Sequence, residues 1–415
     1  MVVGLTHRSS EHMSRRVVSF LCVLALANSV AATLILPILP ELMVLMGAES
    51  TAAAARMGGF VVFAFVGMQI ALAPAFGELA DTIGRRPILI AALLLTAISH
   101  GFVVLTDNFA TLVAARTIGG LGAATGIAVS SMIADIAPAQ DRARLFGFIA
   151  AAGGAGATIG PAFGGLLGVF GAKAPFMFAA LAQVVLLTAA LTILPETLSS
   201  DNRRKVLISN FNPFVGFTSI VQTSPPSLFL VLVLGHLGFA AIPVLWPYFT
   251  GLQYGWGPGM VGVSLALAAA ASILAQTLLL PLARRHVCDR LMVALTLTSG
   301  TGLMVVLGAV YSSSFALIAL ALIAAGGIGL SILMGLISSG VSSTDQGRLM
   351  GATSALSGTA GLIAPLAFPA VFAFAVERNI SFTGMPFLVA AMVTGCAGAV
   401  SWSYWARKTR SEPID

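Results

Sequence analysis

One short segment concentrates charge in a chain that has little of it. Only 9% of the 415 residues are charged, yet four charged side chains fall within one run of eleven residues, Gly77–Pro87. They are Glu78, Asp81, Arg85 and Arg86. Two carboxylates and two guanidinium groups at this spacing can form charge-assisted hydrogen bonds. Asp81 can instead accept from the amides of a nearby helix N-terminus, and Gly77 and Gly84 permit a tight turn. We interpret the segment as a gate; the alternative is a charged anchor at a membrane surface.

The elements around this segment are apolar helices. With 58% hydrophobic residues and a mean hydropathy of +0.99, the chain has more apolar surface than one soluble core could bury. A membrane span needs roughly 20 apolar residues, and such stretches recur along the whole length. The sequence predicts an all-α polytopic membrane protein with twelve spans. The predicted spans are 17–39, 57–77, 87–106, 109–136, 145–170, 174–194, 227–250, 258–283, 291–311, 315–341, 349–376 and 384–406.

The basic residues are distributed unevenly between alternate loops. The net charge is +6, but all but four of the 21 Lys and Arg residues fall on one side. The exceptions are Arg56, Lys173 and Arg378 in loops on the other side, and Arg116 within a span. By the positive-inside rule both termini are cytoplasmic. The charge therefore indicates membrane topology, and we expect no nucleic acid partner. The three cysteines are scattered, and no metal site or cofactor is predicted.

An internal repeat divides the chain into two halves. Asp141-Arg142-Ala143-Arg144 stands 204 residues before Asp345-Gln346-Gly347-Arg348, and Pro161 meets Pro365 at the same offset. A polar stretch that includes Pro225-Pro226 separates the halves. We predict a six-helix bundle at 1–194, a cytoplasmic linker at 195–226 and a second six-helix bundle at 227–415. Repeats of this kind place a substrate path at the interface of the halves, near the midplane.

Two spans have features that a lipid-facing helix would not need. Arg116 is the one basic residue placed inside a span, where a central arginine costs about 2.5 to 3.5 kcal/mol. This favours a polar partner or a water-filled path, and the alternative is an arginine that snorkels to the interface. The fifth span combines small residues with a helix-interior proline, which kinks the helix. Those residues are Gly156, Gly160, Pro161, Gly164 and Gly165.

Several of these motifs resemble known signatures. The Gly77-x-x-x-Asp81-x-x-Gly84-Arg85-Arg86 segment is similar to the loop between the second and third helices of the major facilitator superfamily. With Gly160-Pro161-x-x-Gly164-Gly165 and Pro195-Glu196-Thr197 in order, nearly the whole chain resembles the tetracycline-exporter branch of its drug:proton antiporters. The resemblance implies the major facilitator fold, a proton-transfer role for Arg116 and export through the antiporter motif of the fifth span. A hinge without directional meaning is the alternative for that motif.

The chain also departs from the pattern of that branch. The family usually has a basic residue where Thr82 stands, and its membrane aspartates in the first, third and ninth helices are Asn28, Ser99 and Ser299 here. The histidine expected before Trp256 is Gly255. These side chains cannot take up a proton or ligate a drug-bound metal, which argues against tetracycline. His100 is a candidate coupling residue because imidazole titrates near neutral pH; a hydrogen-bonded structural histidine is the alternative.

Polar and aromatic side chains within the spans are candidates for the substrate cavity, because apolar walls with a few polar groups suit an amphipathic organic molecule. Each could instead satisfy a neighbouring helix. The candidates are Asn28, Gln69, His236, Trp246, Gln276 and Ser331.

Together these features predict a monomeric transporter that exports a small organic compound, with protons as coupling ions and the lipid bilayer as its surroundings. A facilitator without proton coupling and an uptake carrier are alternatives. An enzyme is not expected, because the spans contain no catalytic cluster of paired histidines, paired carboxylates or a Ser-His-Asp set.

Overall fold

A computed structural model of the chain describes residues 2–122, 125–138, 140–203, 225–309, 311–341, 346–380 and 383–411. Within these residues the secondary structure is helical, without a β-strand. The α-helices are α1 (Val2–Thr33), α2 (Leu39–Leu45), α3 (Thr51–Ile83), α4 (Arg85–Leu105), α5 (Phe109–Gly122), α6 (Thr125–Ile136), α7 (Arg142–Gly168), α8 (Ala174–Ile193), α9 (Pro226–Tyr254), α10 (Pro258–Leu274), α11 (Leu280–Ala283), α12 (Asp289–Ala309), α13 (Ser313–Ala325), α14 (Ile328–Ser339), α15 (Gln346–Glu377) and α16 (Met385–Ser411). Short 3₁₀ segments cover Leu36–Ile38 and Ser200–Asn202, and a π-helical segment covers Ala275–Leu279.

In the described residues, twelve helical segments are long and apolar enough to cross a bilayer. Span 1 combines α1, from Arg15, with α2; span 4 combines α5 and α6, span 8 combines α10 and α11, and span 10 combines α13 and α14. The remaining helices form spans 2, 3, 5, 6, 7, 9, 11 and 12 in chain order. Large apolar side chains such as Leu181 and Val185 on span 6 are 62% and 64% exposed, which suits contact with lipid. The predicted all-α fold with twelve membrane spans is confirmed.

The ends of spans 1 and 2 correct the sequence prediction. Span 1 continues to Leu45 through a 3₁₀ turn, and span 2 runs from Thr51 to Ile83. The predicted turn beginning at Gly77 is therefore wrong, because the helix continues through Gly77 and Asp81. The chain leaves the helical conformation only at Gly84, which has φ +125°, and α4 begins at Arg85. Charged side chains in the last turns of a span reach the polar interface without ending the helix.

The chain clusters into two compact units. Unit 1 comprises Met1–Ile38 and Ala64–Pro213, and unit 2 comprises Leu39–Phe63 and Phe214–Asp415. The core of unit 1 is formed by buried side chains of spans 1, 3, 4 and 6, including Leu21, Leu93 and Met132. The core of unit 2 is formed by spans 7 to 12, including Leu232 and Leu297. Part of the predicted linker, 204–224, and Asp345 of the repeat lie outside the described residues. The predicted domain boundaries stay a prediction.

Candidate functional site

The start of α5 fixes how deep Arg116 lies in span 4. The Asn108 side-chain oxygen accepts from the backbone amides of Ala110 at 2.8 Å and Thr111 at 3.3 Å. An asparagine that satisfies the first free amides is a favourable helix N-cap, and it explains why α5 begins at Phe109. Arg116 then follows about two helical turns into the span. Its position in the chain therefore agrees with the sequence prediction.

Two glycines bring α5 close to its neighbours around Arg116. A Cβ atom on Gly119 would lie 2.6 Å from the Ser99 hydroxyl on span 3. A Cβ atom on Gly120 would collide with the backbone oxygen of Phe65 on span 2. Real Cβ atoms do not approach so closely, so both positions require glycine at this helix spacing. The close approach places the Arg116 guanidinium carbon 4.4 Å from the centre of the Phe65 ring.

The Arg116 side chain is buried and lacks a counter-ion in the part of unit 1 that the structure describes. The residue is 3% exposed, its Nε has no hydrogen-bond partner there, and no described carboxylate lies within 4.0 Å of it. Guanidinium groups stay charged in proteins and carry only donors. The snorkelling alternative is not supported, because the side chain does not reach the surface of the protein.

His100 lies beside this arginine on span 3. It is 3% exposed, and its Nδ1 is 2.7 Å from the carbonyl oxygen of Thr96. A carbonyl oxygen can only accept, so Nδ1 is the donor and carries the proton. The other ring nitrogen, Nε2, has no hydrogen-bond partner among the described residues. His100 is thus held by Thr96 through one nitrogen, and the backbone of Ala31 also lies near the ring.

These side chains line one small cavity in unit 1. It has a volume of about 70 Å³, and Asn28, Gln69, His100 and Arg116 contribute to its wall together with Phe65. Four of the side chains selected from the sequence therefore meet in one place. The wall also includes Thr96 and Gly119, which sequence reasoning missed. Their signal in the sequence is spacing: each lies within one turn of a selected residue, Thr96 of His100 and Gly119 of Arg116.

Asn28 also lines a second cavity in unit 1. That cavity measures about 200 Å³, and its wall includes Ala25, Ser29, Thr125, Val129 and Ile149. The wall has small and apolar side chains with three hydroxyl groups, and none of the described residues that line it is charged. The cavity can therefore hold an uncharged, partly apolar group.

The candidates in unit 2 are not brought together in the same way. Trp246 is fully buried, and its indole Nε1 donates to the Ser264 hydroxyl at 2.7 Å. It is a core residue packed against Phe249 and Trp256, and its predicted role in the substrate cavity stays a prediction. A buried tryptophan whose N–H already has an acceptor has no free polar group for a substrate.

Three further candidates in unit 2 are partly or fully accessible. His236 is half-buried, with its Nδ1 2.9 Å from the carbonyl oxygen of Leu232. Gln276 is exposed in the π-helical segment, and its amide donates to Ser272 at 3.1 Å. Ser331 is exposed on α14. Ser272, unlike these three, lines an apolar cavity of about 260 Å³ with Pro243 and Leu330. The substrate roles of these three residues stay predictions.

The positions that depart from the tetracycline-exporter pattern have structural surroundings of their own. Ser99 is fully buried, and no partner of its hydroxyl is found in the described chain. Ser299 is exposed, and its hydroxyl donates to the Thr296 carbonyl at 3.2 Å. Gly255 has φ +66° and caps the C-terminus of α9, with its amide 3.2 Å from the Gly251 oxygen. A left-handed residue at this position is the usual way to end a helix.

An ion-pair network occupies the end of unit 1 where spans 2 and 3 meet. The Arg85 guanidinium pairs with Asp81 and, through Nε at 3.3 Å, with Asp135 at the end of span 4. The Thr197 hydroxyl donates to the same Asp135 carboxylate at 2.9 Å. Asp81 therefore accepts from the Arg85 side chain. The helix N-terminus that was the predicted alternative partner of Asp81 is capped by the carboxylate of another residue. The Arg85 side chain is 11% exposed, so solvent screens this network only in part.

That other residue is Glu196, which sequence reasoning did not select for this role. Its carboxylate accepts from the backbone amides of Arg85 at 3.0 Å and Arg86 at 3.2 Å, the first residues of α4. It also accepts from Thr197 and Leu198, both at 3.0 Å. The free amides and the dipole at a helix N-terminus both favour a carboxylate. The available signal was an acidic residue directly after span 6, in a loop on the same predicted side.

Arg86 connects the same corner to span 6. Its guanidinium donates to the Leu191 carbonyl oxygen at 2.7 Å, in the last turn of α8. A cation at the C-terminal end of a helix satisfies free carbonyl groups and complements the helix dipole. The start of α4 is therefore stabilised by the negative charge of Glu196, and the end of α8 by the positive charge of Arg86.

The antiporter motif of span 5 forms a close contact with span 1. Cβ atoms on Gly156, Gly160 and Gly164 would collide with Leu26, Thr33 and Leu34 respectively. The three glycines repeat every four residues, so they form one face of α7. Gly165 and Pro161 are buried beside them. The predicted small-residue face is thereby located against span 1; its bending during transport stays a prediction.

An ion pair in unit 2 was missed from the sequence. Arg56, in the second turn of span 2, donates two hydrogen bonds to Glu377, the last residue of span 11, at 2.5 Å and 2.6 Å. The same segment contacts span 11 at Gly59, where a Cβ atom would lie 3.1 Å from Pro369. The residues are 321 positions apart, and no local pattern connects them.

Twelve spans, a duplicated sequence and a buried polar cavity within one unit are features of a polytopic membrane transporter. Residues 21–369 match the Major Facilitator Superfamily, and the chain belongs to that family. Members of this family are transporters and not enzymes, which confirms the prediction that the chain has no enzymatic role. The chain is a multi-pass membrane protein that moves a small molecule.

The relatives that resemble the chain are drug-resistance proteins. It is 30% identical to the class C tetracycline resistance protein of Escherichia coli, over 92% of this chain and 96% of the relative. It is 32% identical to the class E protein of Escherichia coli, over 88% of this chain and 90% of the relative. The suspected resemblance to this branch is confirmed at that level.

Solved structures share the fold at lower identity. The crystal structure of the D-xylose-proton symporter matches with a TM-score of 0.73 and 17% identity, covering 94% of this chain and 97% of that chain. The human organic anion transporter MFSD10 matches with a TM-score of 0.68 and 20% identity, covering 94% and 99%. At these identities the likeness confirms the major facilitator fold.

Proposed function

We propose that the chain exports a small organic compound across the cytoplasmic membrane by alternating access, as a monomer with both termini in the cytoplasm. The observation that carries this proposal is the cavity around Arg116, where a buried cation, an imidazole and two amides meet. Similarity to tetracycline resistance proteins supports export as the direction. The glycine contact between spans 1 and 5, at the antiporter motif, supports it further.

Proton antiport is the proposed driving force, with His100 as the titrating group and Arg116 as its charged neighbour. The two side chains line the same cavity, and the His100 Nε2 has no partner among the described residues. A proton that moves down a membrane potential supplies about 2.3 kcal/mol per 100 mV. That energy can sustain a useful substrate gradient.

A facilitator without proton coupling is the second candidate, and one observation favours it. In the sequence, every Asp or Glu within a span lies in the first or last two helical turns of that span. A carboxylate near the midplane would be the simplest proton carrier, and none is available there. Transport by membrane vesicles with and without a pH gradient separates the candidates. Efflux that ignores the pH gradient rules out antiport.

The corner formed by spans 2, 3, 4 and 6 of unit 1 is proposed as the cytoplasmic gate. Its ion pairs join Arg85 to Asp81 and Asp135 and can break when the gate opens. Because Gly84 and Glu196 hold the start of span 3 in place, the gate has a fixed side and a movable side.

Topology can be tested with the natural cysteine at position 288. Cys288 is exposed and lies between spans 8 and 9, in a loop that we place in the cytoplasm. A membrane-impermeant maleimide added to intact cells should not label it, whereas a permeant maleimide should. Cysteine introduced at Glu49, which is exposed between spans 1 and 2, serves as the outside control. Labelling of Cys288 by the impermeant reagent would contradict the proposed orientation.

Export itself is tested with a strain that lacks the gene. We expect lower resistance to at least one organic compound and higher retention of that compound in the cell. The wild-type chain should restore both properties, and Arg116→Ala should not. Accumulation of the compound in cells that express the chain would instead favour uptake.

A further inference from the structure

We propose that the cavity at Arg116 binds the carboxylate or a similar oxyanion of an organic substrate, so that the transported compound is an organic acid. The inference rests on the proposed transport function and specifies the chemistry of the group that the site takes. Its basis is a buried positive charge that the described residues leave without a counter-ion.

The electrostatic balance at Arg116 requires a partner. An unpaired arginine inside a span is unfavourable, and Arg116 lies about two helical turns from the start of span 4. A cation–π contact with Phe65, at 4.4 Å, offsets only part of that cost. The remaining cost is not offset by an ion pair, because no described carboxylate is within 4.0 Å. A negatively charged ligand would supply the counter-ion that Arg116 lacks among the described residues.

The sequence offers no hidden counter-ion in the interior of another span. The acidic residues within spans all lie near span ends, as Glu41, Asp135 and Asp289 do. Arg116 is therefore unlike an arginine that belongs to an internal ion-pair network. It is a fixed positive charge in a cavity, which is how a protein selects an anion and rejects a cation.

Hydrogen-bond donors around the cavity match a carboxylate. The Arg116 Nε is buried without an acceptor in the described chain, and buried donors are normally paired with a protein group, water or a ligand. Asn28 and Gln69 also line this cavity, and the side-chain amide of each has two N–H donors. A carboxylate has two oxygens that together accept about four hydrogen bonds. The three side chains together therefore have enough donors for one such group.

The size of the cavity limits which part of the substrate it holds. A volume of about 70 Å³ is a small space that holds only a few water-sized groups. That space suits a carboxylate but not a whole organic molecule, whose sites usually measure about 300 Å³ or more. The neighbouring cavity of about 200 Å³ shares Asn28 and has an uncharged wall. We assign the charged group to the first cavity and the uncharged body to the second.

Benzoate and benzamide are suitable probes, because they have the same shape and differ in charge. We expect the purified chain in lipid nanodiscs to bind benzoate at least about tenfold more tightly than benzamide by calorimetric titration, which corresponds to about 1.4 kcal/mol. Arg116→Gln should remove this preference. Arg378→Gln is the matched control, because Arg378 also stacks on a phenylalanine, Phe374, but is exposed at the end of span 11. The control should keep the preference.

A second variant keeps the test independent of folding. Asn28→Asp has nearly the same shape and places a carboxylate in the cavity beside Arg116. It should lower benzoate affinity by about tenfold or more and lower benzamide affinity much less, because Arg116 then has an internal counter-ion that competes only with an anion. Equal affinity for the two probes in the wild-type chain would overturn the inference. Unchanged benzoate preference in Asn28→Asp and Arg116→Gln would overturn it as well.

Transport in proteoliposomes separates this inference from the proposed function. Movement of ethidium, a cation, without any preference for benzoate in binding would keep transport and overturn the anion site. A benzoate preference that depends on Arg116, without movement of either probe, would keep the anion site and overturn transport of these compounds. Movement of benzoate that Asn28→Asp abolishes supports both.

Discussion

The carboxylate of Glu196 lies in the space that a side chain at Gly84 would need. A Cβ atom on Gly84 would be 2.9 Å from the Glu196 carboxyl carbon and would collide with one of its oxygens. Gly84 also has φ +125°, a conformation that only glycine adopts readily. Gly84 alone separates the end of span 2 from the start of span 3. Glu196 supplies the negative charge that stabilises the N-terminus of span 3.

Substitution of Gly84 by alanine should disturb both features. We expect Gly84→Ala to lower the unfolding free energy by about 1 to 3 kcal/mol, from backbone strain and displacement of Glu196. Transport should fall with it. Thermal unfolding in detergent and vesicle transport measure the two effects. Gly154→Ala is the control, since no atom of the described residues on a neighbouring helix lies within 4 Å of the position that its Cβ would take.

Loss of the charge at Glu196 is a milder change. Glu196→Gln keeps an oxygen acceptor but removes the negative charge from the start of α4. We expect a loss of about 0.5 to 2 kcal/mol in stability, because carboxylates at helix N-termini are favoured by the dipole and by charge-assisted hydrogen bonds. Unchanged unfolding temperature and unchanged transport would contradict the role given to this carboxylate.

The ion pairs of Arg85 should matter more for transport than for stability. Asp81→Asn removes one partner, while Asp135 remains as the second. We expect about 1 kcal/mol or less in stability, because Asp81 is partly exposed, and at least a tenfold lower transport rate. Asp107→Asn is the matched control, because it breaks a pair with Lys173 in which the aspartate is 84% exposed. Equal transport rates in both variants would argue against a gate.

From the close glycine contact between spans 1 and 5 we predict that one added methyl group has an effect that depends on its position. Gly160→Ala would place a Cβ atom 3.0 Å from the Val30 oxygen and against the Thr33 hydroxyl. Overpacking of this kind costs about 1 to 3 kcal/mol, so unfolding temperature and transport should both fall. Gly154→Ala adds the same methyl group to the same helix without a contact and should be neutral. A neutral Gly160→Ala would contradict the close packing of these two spans.

The pair between Arg56 and Glu377 is open to a charge-swap test. Either single neutral variant should lower the transport rate, because the pair joins the start of span 2 to the end of span 11. The swapped variant, Arg56→Glu with Glu377→Arg, should restore much of the wild-type rate, since the bidentate geometry can form in reverse. Transport at low and high salt provides a second readout, because exposed pairs are screened. A swapped variant that is as slow as the single variants would show that the pair itself is not what matters.

Arg116 and Gly84 illustrate how much was predictable. The sequence placed Arg116 inside span 4 and Asn28, Gln69 and His100 in neighbouring spans, and the structure brings these four side chains to one cavity. It did not predict Phe65 as the stacking partner, because a phenylalanine in an apolar helix has no distinguishing pattern. The sequence also predicted that the turn after span 2 begins at Gly77, because charged residues are typical of loops. The helix in fact continues to Ile83.

Trp246 and Glu377 have interaction partners that could not be predicted from the sequence. The sequence indicated that the indole N–H of Trp246 could bind a substrate, but this N–H donates a hydrogen bond to Ser264 within the core. Nothing near Glu377 in the sequence connects it with Arg56. In both cases the partner is distant along the chain, and the spacing of residues reports only local neighbours.

The sequence by itself determined the number of spans, their approximate limits and the family signatures, because the length of an apolar stretch is a local property that the bilayer thickness translates directly into a helix. Only the tertiary structure decided which polar side chains share a cavity and which carboxylate caps which helix. Those relationships depend on how closely helices approach, and glycines at Gly119, Gly120 and Gly160 set that distance through contacts with residues far away in the chain.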